Sequence, residues 1–298
     1  VMSPTYTSMI IPARWYSGGK GLDDFRNMML SDSHIKFIYD YPETSDCFAH
    51  LNIRGGVCYF LRDKNYKGDC TIYNMKNGTV QSSTMRPLLE PGCQIFIRYN
   101  AAINILTKVR AKNEHTYGDI VSARNPFRLP SNFSDYAKYA DKLHNIKLYR
   151  FGEDVYIRPS QVERNTDLIS KWKVLVSKAS PGGDEYPHSI VSRPIISEPG
   201  SVCTETYLII QVVPSKQAAK HLSAYIQTRF FRFMMSLIKN TQNISRGCYS
   251  FVPVQNLAAD SDIDWSKSIH EIDTQLYAKY GLTAAEIDFI ESKIKPME

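Results

Sequence analysis

Ser8-Met9-Ile10-Ile11-Pro12, the turn Ser17-Gly18-Gly19-Lys20-Gly21, the run from Leu22 to Leu30 and then Ile35-Lys36-Phe37-Ile38-Tyr39-Asp40 decide how this chain reads. The first piece is a short apolar run suited to a buried strand. In the third, Leu22, Phe25 and Met29 recur at helical spacing, with Asp23 and Asp24 placed where a helix N-terminus favours negative charge. The fourth is again a strand. Gly56 to Leu61 is another, and Asp69 to Tyr73 is expected to pair with it across the polar turn from Asp63 to Gly68. Strand, helix, strand and hairpin is the order found in the last third of a doubly wound α/β sheet.

From about residue 75 the texture changes to short strands, one or two helices and many loops. Ile95 to Arg98 is expected as a strand and Asn100 to Lys112 as a helix. Ile146 to Phe151 and Val155 to Arg158 form an expected hairpin through Gly152-Glu153-Asp154. Trp172 to Ser177 and Thr206 to Val213 are further expected strands, separated by the loop signals Ser180-Pro181-Gly182-Gly183-Asp184 and Glu198-Pro199-Gly200-Ser201. One long helix is expected from Ser215 to Lys239, with Ala219, Leu222, Ile226, Phe230, Phe233 and Leu237 as its buried stripe. Thr283-Ala284-Ala285-Glu286 is a capping box, with Leu282 and Ile287 as its hydrophobic staple. The expected architecture is therefore mixed α/β and α+β: the terminal strands and helix of a doubly wound sheet over residues 1–74, then an α+β domain over 75–298.

The chain has 298 residues and a formal net charge of +6. Residues 1–66 are neutral and 257–298 carry −5, so the middle, 67–256, holds 25 basic and 14 acidic residues, a net +11. A block of that size fits a polyanion partner as well as it fits a solvated surface. Arg229, Arg232, Ser236 and Lys239 share a second stripe of the long helix, read either as a solvated face or, with the following Thr241 to Gly247, as a phosphate-facing edge. No run of about 18 apolar residues exists to span a bilayer, and no signal peptide is visible. The six cysteines include no C-x-x-C pair, which argues against zinc and a disulfide scaffold and fits a reducing cytoplasm. Asn-x-Ser/Thr triplets at Asn77, Asn132 and Asn243 carry no meaning there. The start at Val1 reads like the cut edge of a longer chain.

Reactive centres are hard to find. H-E-x-x-H, G-x-S-x-G and P-loop patterns are absent, and the turn at Gly18 to Gly21 lacks the P-loop spacing. The seven histidines are scattered. Glu291-Ser292-Lys293 matches the E-x-K half of some nuclease sites but sits on the capped terminal helix.

Met9 to Trp15, the Gly-Gly-Lys-Gly turn and Leu22-Asp23-x-Phe25-Arg26 resemble the distal catalytic-domain segment of N6-adenine DNA methyltransferases of the bacterial restriction–modification type. Asp40-Tyr41-Pro42, Cys47-Phe48 and Ile53 to Leu61 continue the likeness. Cys203 to Tyr207, Tyr225 to Phe233, Lys239-x-Thr241-Gln242, Tyr249 to Gln255 and Leu276 to Thr283 carry it through the C-terminal third, leaving the middle weaker. The resemblance implies that residues 1–74 are the end of a methylase domain and 75–298 a target recognition domain. It implies S-adenosylmethionine as cofactor for the parent enzyme and none for this piece, because the Gly-rich cofactor turn and the D/N-P-P-Y/F loop are both missing. Asn125-Pro126-Phe127 is the nearest string to that loop; it lacks the second proline and reads as an ordinary loop.

Under this reading the partners are duplex DNA and a missing N-terminal catalytic domain, with no membrane. Lys/Arg contacts to phosphate would supply affinity and a few polar side chains specificity. The candidates are Arg124, Asn125 and Arg128 in one loop, Ser180 to Asp184 with Arg193 in a second, and Gln242, Asn243, Ser245 and Arg246 in a third. Arg229, Arg232 and Lys239 join them from the helix. Arg14 and Lys20, with Trp15, are expected at the carboxyl end of the first strand, facing the cleft of the missing core. Two other readings stand beside this one: a stand-alone specificity subunit docking on a separate catalytic chain through residues 1–66, and an intact small enzyme such as a nuclease.

Overall fold

A computed structural model describes residues 4–18, 21–51, 53, 55–180, 187–239 and 242–297. The chain divides into two compact units, the first taking in the chain up to Lys108 with a short return at 237–239, the second the remainder from Val109 onward.

In the first unit, β1 (Tyr6–Pro12), α1 (Asp23–Ser31) and β2 (Ile35–Tyr41) follow the expected order. Asp23 and Asp24 occupy the first turn of α1, and Asp23 also holds Arg26 at 3.0 Å. β3 (Val57–Asp63) lies between β1 and β2, antiparallel to both. β4 (Cys70–Lys76) runs parallel to β2, and β5 (Thr79–Arg86) closes the sheet antiparallel to β4, giving the order β1-β3-β2-β4-β5.

Three expectations change here. The segment from Asp69 to Tyr73 does not pair with β3; it forms most of β4 and lies against β2. Ile95 to Arg98 is not a strand, because its backbone is spent on other partners: the Phe96 N–H donates to Tyr16 O at 3.0 Å and Ile97 O accepts from Arg86 Nη2 at 2.5 Å. The compact unit also runs past residue 74, since β4 pairs with β5 through Asn77-Gly78.

One face of the sheet presents Ile38, Cys58, Phe60 and Ile72 to Trp15, Tyr16, Met29 and Phe96, forming the unit's core. The register puts Ile10, Tyr59, Tyr39 and Tyr73 in one row on the other face. The Tyr39 ring stacks between Tyr59 and Tyr73, with centroids at 4.5 Å and 4.2 Å and planes within 7° and 13°. These tyrosines stay half-exposed, and Ile10 is 52% exposed.

α2 (Asn100–Arg110) and the short α3 (Tyr117–Ile120) follow. In the second unit, β6 (Ile146–Tyr149) and β7 (Asp154–Ile157) form the expected hairpin. β8 (Trp172–Ser177) lies between β9 (Ile195–Ser197) and β11 (Tyr207–Val213), while β10 (Ser201–Cys203) runs parallel to β6. The two sheets share a core built from Phe127, Leu148, Val155, Leu175, Val202 and Ile209.

The expected long helix is two helices, α4 (Lys216–Gln227) and α5 (Arg229–Ser236), broken at Thr228. Thr228 is extended at φ −63°, ψ 151°, and its Oγ1 accepts the Phe231 N–H at 3.1 Å. α6 (Ile269–Lys279) adds a second cap: Asp273 accepts the N–H groups of Arg229 and Phe230, both at 2.9 Å. The apolar stripe from Ala219 to Leu237 is nonetheless buried throughout. α7 (Ala284–Lys293) carries the expected capping box between Thr283 and Glu286.

Candidate nucleic-acid interface

Three polar loops, far apart in sequence, meet at the carboxyl end of β8. Beyond β8 the chain continues as Lys178-Ala179-Ser180, and the segment 242–244 runs beside it. The Ser180 N–H donates to Gln242 O at 3.0 Å, the Ile244 N–H donates to Lys178 O at 2.7 Å, and Ala179 bridges Asn243. The third loop arrives through Glu205. Its carboxylate holds Arg124 Nε at 3.2 Å, Lys178 Nζ at 3.5 Å and the Ser131 hydroxyl at 3.2 Å. Those two cations hold the Glu205 carboxyl below the usual range.

Arg246 ties the same neighbourhood to α3. Its guanidinium donates to Gly118 O at 2.6 Å and Asp119 O at 2.5 Å. Glycine at 118 lets α3 pack close to Ser250, since a Cβ there would lie 2.9 Å from the Ser250 Cα. Ser245 is exposed and begins the 3-10 turn Arg246–Tyr249. The loop of Arg124 is braced from a further side: Asn165 Nδ2 donates to Pro126 O at 2.8 Å, and Arg128 Nη1 sits 3.7 Å from Glu163. The Arg124 and Arg128 side chains remain 71% and 64% exposed, so their pairing with carboxylates leaves them open to solvent and to phosphate.

The sequence reading missed Glu205 and Lys178 as organisers of this cluster, and Arg164, which is exposed beside Glu163 and Asn165. Arg193 is exposed but is not tied into the cluster by any hydrogen bond or ion pair among the described residues. Gly183 and Asp184, with the rest of 181–186, lie outside the described residues, as does Lys20.

Other candidates fall away. Arg232 is fully buried, donating to Thr228 O at 3.0 Å, Gln227 O at 3.0 Å and Ser189 O at 3.3 Å. It stitches the end of α4 to α5 and has no access to DNA. Arg229 is mostly buried and paired with Glu291 at 2.8 Å. That pair also accounts for Glu291, which therefore serves packing between α5 and α7. Asn125 turns its Oδ1 into the interior, where it has no hydrogen-bond partner, and Phe127 is wholly buried. The string Asn125-Pro126-Phe127 is thus a core-anchored loop and offers no pocket for a base. Lys239 is half-buried. Arg14 is half-buried in the 3-10 turn Ala13–Tyr16 after β1, between Ala13 and Trp15 of the core.

Asp40 is not available to hold the ribose of S-adenosylmethionine. Asp40, at the carboxyl end of β2, is buried and engaged by the Tyr16 hydroxyl at 3.0 Å and by Arg98 at 3.0 Å. Those contacts take up the Asp40 carboxylate, and no step is assigned to the cofactor. Among the described residues no group of three or more His, Cys, Asp or Glu side chains is placed to hold a metal ion. All six cysteines are free thiols. No helix among the described residues is long and apolar enough to cross a membrane.

Residues 2–48 match the model of the family described as Eco57I restriction-modification methylase, the type that the opening motifs resemble. A curated relative, an uncharacterized adenine-specific methylase of Mycoplasma pneumoniae (strain ATCC 29342 / M129 / Subtype 1), is 32% identical over 131 residues, 39% of this chain and 31% of that protein. The chain is therefore similar to restriction–modification adenine methylases and spans about a third of the curated relative it matches. Two solved structures overlap 96% of this chain. The type IIG restriction endonuclease BpuSI does so at a TM-score of 0.40 and 12% identity, over 46% of its own length. The type IIL restriction-modification enzyme MmeI, in complex with DNA, does so at 0.48 and 9%, over 49% of its length.

Proposed function

We propose that this chain reads duplex DNA as the C-terminal part of an N6-adenine DNA methyltransferase of a restriction–modification system. The observation that carries this is the convergence of the Arg124, Lys178 and Gln242–Arg246 loops at the end of β8. It concentrates exposed cations and hydrogen-bonding side chains on ordered loops of one unit, the combination that phosphate binding and base-edge reading need. The +11 middle of the chain supplies the long-range attraction. Methyl transfer belongs to the parent enzyme, which brings the cofactor turn and the base-positioning loop.

The state of the first unit supports the same reading. Its sheet has one well-packed face and one row of half-exposed tyrosines, and β1 is an edge strand with Tyr6, Met9 and Ile10 exposed by 62%, 51% and 52%. Only β2 and β4 pair in parallel, so one face of this sheet can stand in water; the exposed edge strand with its apolar side chains is what calls for a covering element. We assign that covering to the methylase domain, so that 1–108 completes a catalytic sheet, while the second unit reads the target duplex.

The alternative, a stand-alone specificity subunit, is favoured by the same open face, since a separate chain could dock there. The natural reading frame separates the two: an upstream segment with an N-P-P-Y-like loop supports the first. Titrating a labelled duplex at two salt concentrations tests DNA reading itself. Binding that weakens steeply with salt is expected from counterion release. No binding at low salt, or an affinity indifferent to salt, overturns it. Cleavage of plasmid in magnesium by the purified chain would instead establish a nuclease.

A further inference from the structure

The end of the β6–β7 hairpin carries a feature that the loop cluster does not explain. Phe151, in the turn, is 80% exposed, and Gly152 beside it has φ +93°. A neighbouring segment brings a second ring to the same end. Ala137 bridges Tyr156 of β7 in antiparallel sense, with both N–H···O bonds at 2.8 Å, so the chain leaving Ala137 heads toward the hairpin turn. Two residues on, Tyr139 is 83% exposed. These are the two most exposed large hydrophobic side chains among the described residues.

Both rings stand on fixed backbone. The Arg150 guanidinium packs on the Tyr136 ring at 4.7 Å and pairs with Glu153 at 3.6 Å, bracing the turn. Asp141 Oδ1 accepts the N–H groups of Leu143 and His144, both at 2.7 Å, fixing the loop that follows Tyr139. A single exposed ring is ordinary on a protein surface, but two held out on ordered backbone at one end of a hairpin form apolar surface that a partner can cover. Charge selects which one. The local acids have internal partners, Asp135 with Arg158, Asp154 with Lys147, Glu153 with Arg150 and Asp141 with His144. Lys138 and Lys142, flanking Tyr139, are exposed and make no ion pair among the described residues. Tyr139 between two exposed lysines, with Phe151 at the same end of the hairpin, suits a nucleic acid, whose phosphates take the cations while its base stack takes the rings.

We infer that Phe151 and Tyr139 are wedges that enter the base stack of the bound duplex and unstack a step. This rests on the proposed reading of duplex DNA and names how the second unit deforms its target. Opening a step beside the target would lower the work of extruding a base for a methylase.

The test uses the full chain and a mixed-sequence duplex carrying 2-aminopurine, whose fluorescence rises on unstacking. Wild-type protein is expected to raise the signal on binding. The double variant Phe151→Ala/Tyr139→Ala should lose that rise and bind about tenfold more weakly, the scale of lost base–aromatic contact. Its salt dependence should be unchanged, because no phosphate contact is removed. Phe151→Leu, which keeps an apolar wedge, should retain part of the signal. A double variant matching wild type in both fluorescence and affinity overturns the wedge while leaving duplex reading intact. Absence of wild-type binding overturns duplex reading, and the wedge with it.

Discussion

Asp40 and Arg98 lie 58 positions apart in the chain and form an ion pair of 3.0 Å inside the first unit, where Asp40 is fully buried. The Tyr16 hydroxyl donates to the same carboxylate at 3.0 Å, and the Arg98 guanidinium lies over the Tyr16 ring at 5.1 Å. Arg98 also donates to Gly55 O. One carboxylate thereby joins the end of β2, the turn after β1, the approach to β3 and the segment leading into α2. A buried charge is tolerable only when so surrounded.

Asp40→Ala should therefore be among the most disruptive single changes in the first unit. It leaves the Tyr16 hydroxyl and a mostly buried guanidinium without their acceptor, at a cost of about 3–5 kcal/mol. Urea unfolding followed by tryptophan fluorescence in a Trp172→Phe/Trp265→Phe background, where Trp15 alone reports this core, checks it. A loss under about 1 kcal/mol would show that the pair is dispensable.

Asp273 caps α5 from α6, and burial raises its carboxyl to about 6 despite the two N–H bonds and the nearby Arg232 and Arg229. The folded value lies above the ordinary one, so between about pH 4 and pH 6 the folded chain holds a proton that the unfolded chain has released. The associated stability is present below pH 4 and is lost as pH rises through 6. Asp273→Asn removes the titration and keeps one acceptor. The stability of wild type relative to this variant should fall by roughly 1–3 kcal/mol between pH 4.5 and 7.5, measured by paired urea titrations. A relative stability that rises with pH would mean that the ionised carboxylate is the better cap.

How much of this was legible in the sequence depends on how local each cause is. β1, α1, β2, the β6–β7 hairpin, β8 and the capped α7 follow from periodicity and caps within a few residues. β5 was missed although Asn77-Gly78 is a hairpin turn signal, because Thr79 to Arg86 is polar and lacks an alternating apolar face. The break at Thr228 was invisible for a different reason: every residue from Ser215 to Lys239 tolerates a helix, and the carboxylate that starts α5 lies 44 positions from Arg229. The same distance effect hid the burial of Arg232, whose spacing alone fits a solvated stripe. The loops read as polar in the sequence, but Glu205, which joins Arg124 to Lys178, carried no local mark.

Lys173 gives a second pH signature with the opposite sign. Its ammonium is buried and donates to Leu168 O at 2.8 Å and Lys171 O at 2.7 Å, with no carboxylate in contact. Burial lowers it to about 8. Between about pH 8 and pH 10 the unfolded chain keeps a proton that the folded chain has lost, so folding gains stability with rising pH and loses it as pH falls through 8. Wild type should gain roughly 1–3 kcal/mol on Lys173→Met between pH 7.5 and 9.5 in paired unfolding titrations. A gap that stays constant would show that the ammonium is charged throughout.

Arg124 and Arg232 separate contact with DNA from support of the fold. Arg124 is 71% exposed and shares Glu205 with Lys178, so Arg124→Gln should leave the melting temperature within a few degrees of wild type. On duplex DNA it should bind several-fold more weakly and lower the slope of log affinity against log salt by about 1. Arg232→Met leaves the carbonyls of Gln227, Thr228 and Ser189 without their donor in the interior. It should cost about 2–4 kcal/mol of stability, and whatever folded protein remains at low temperature should keep the wild-type salt slope. The assignment of these roles is reversed if Arg124→Gln binds with an unchanged slope while folded Arg232→Met loses one unit of it.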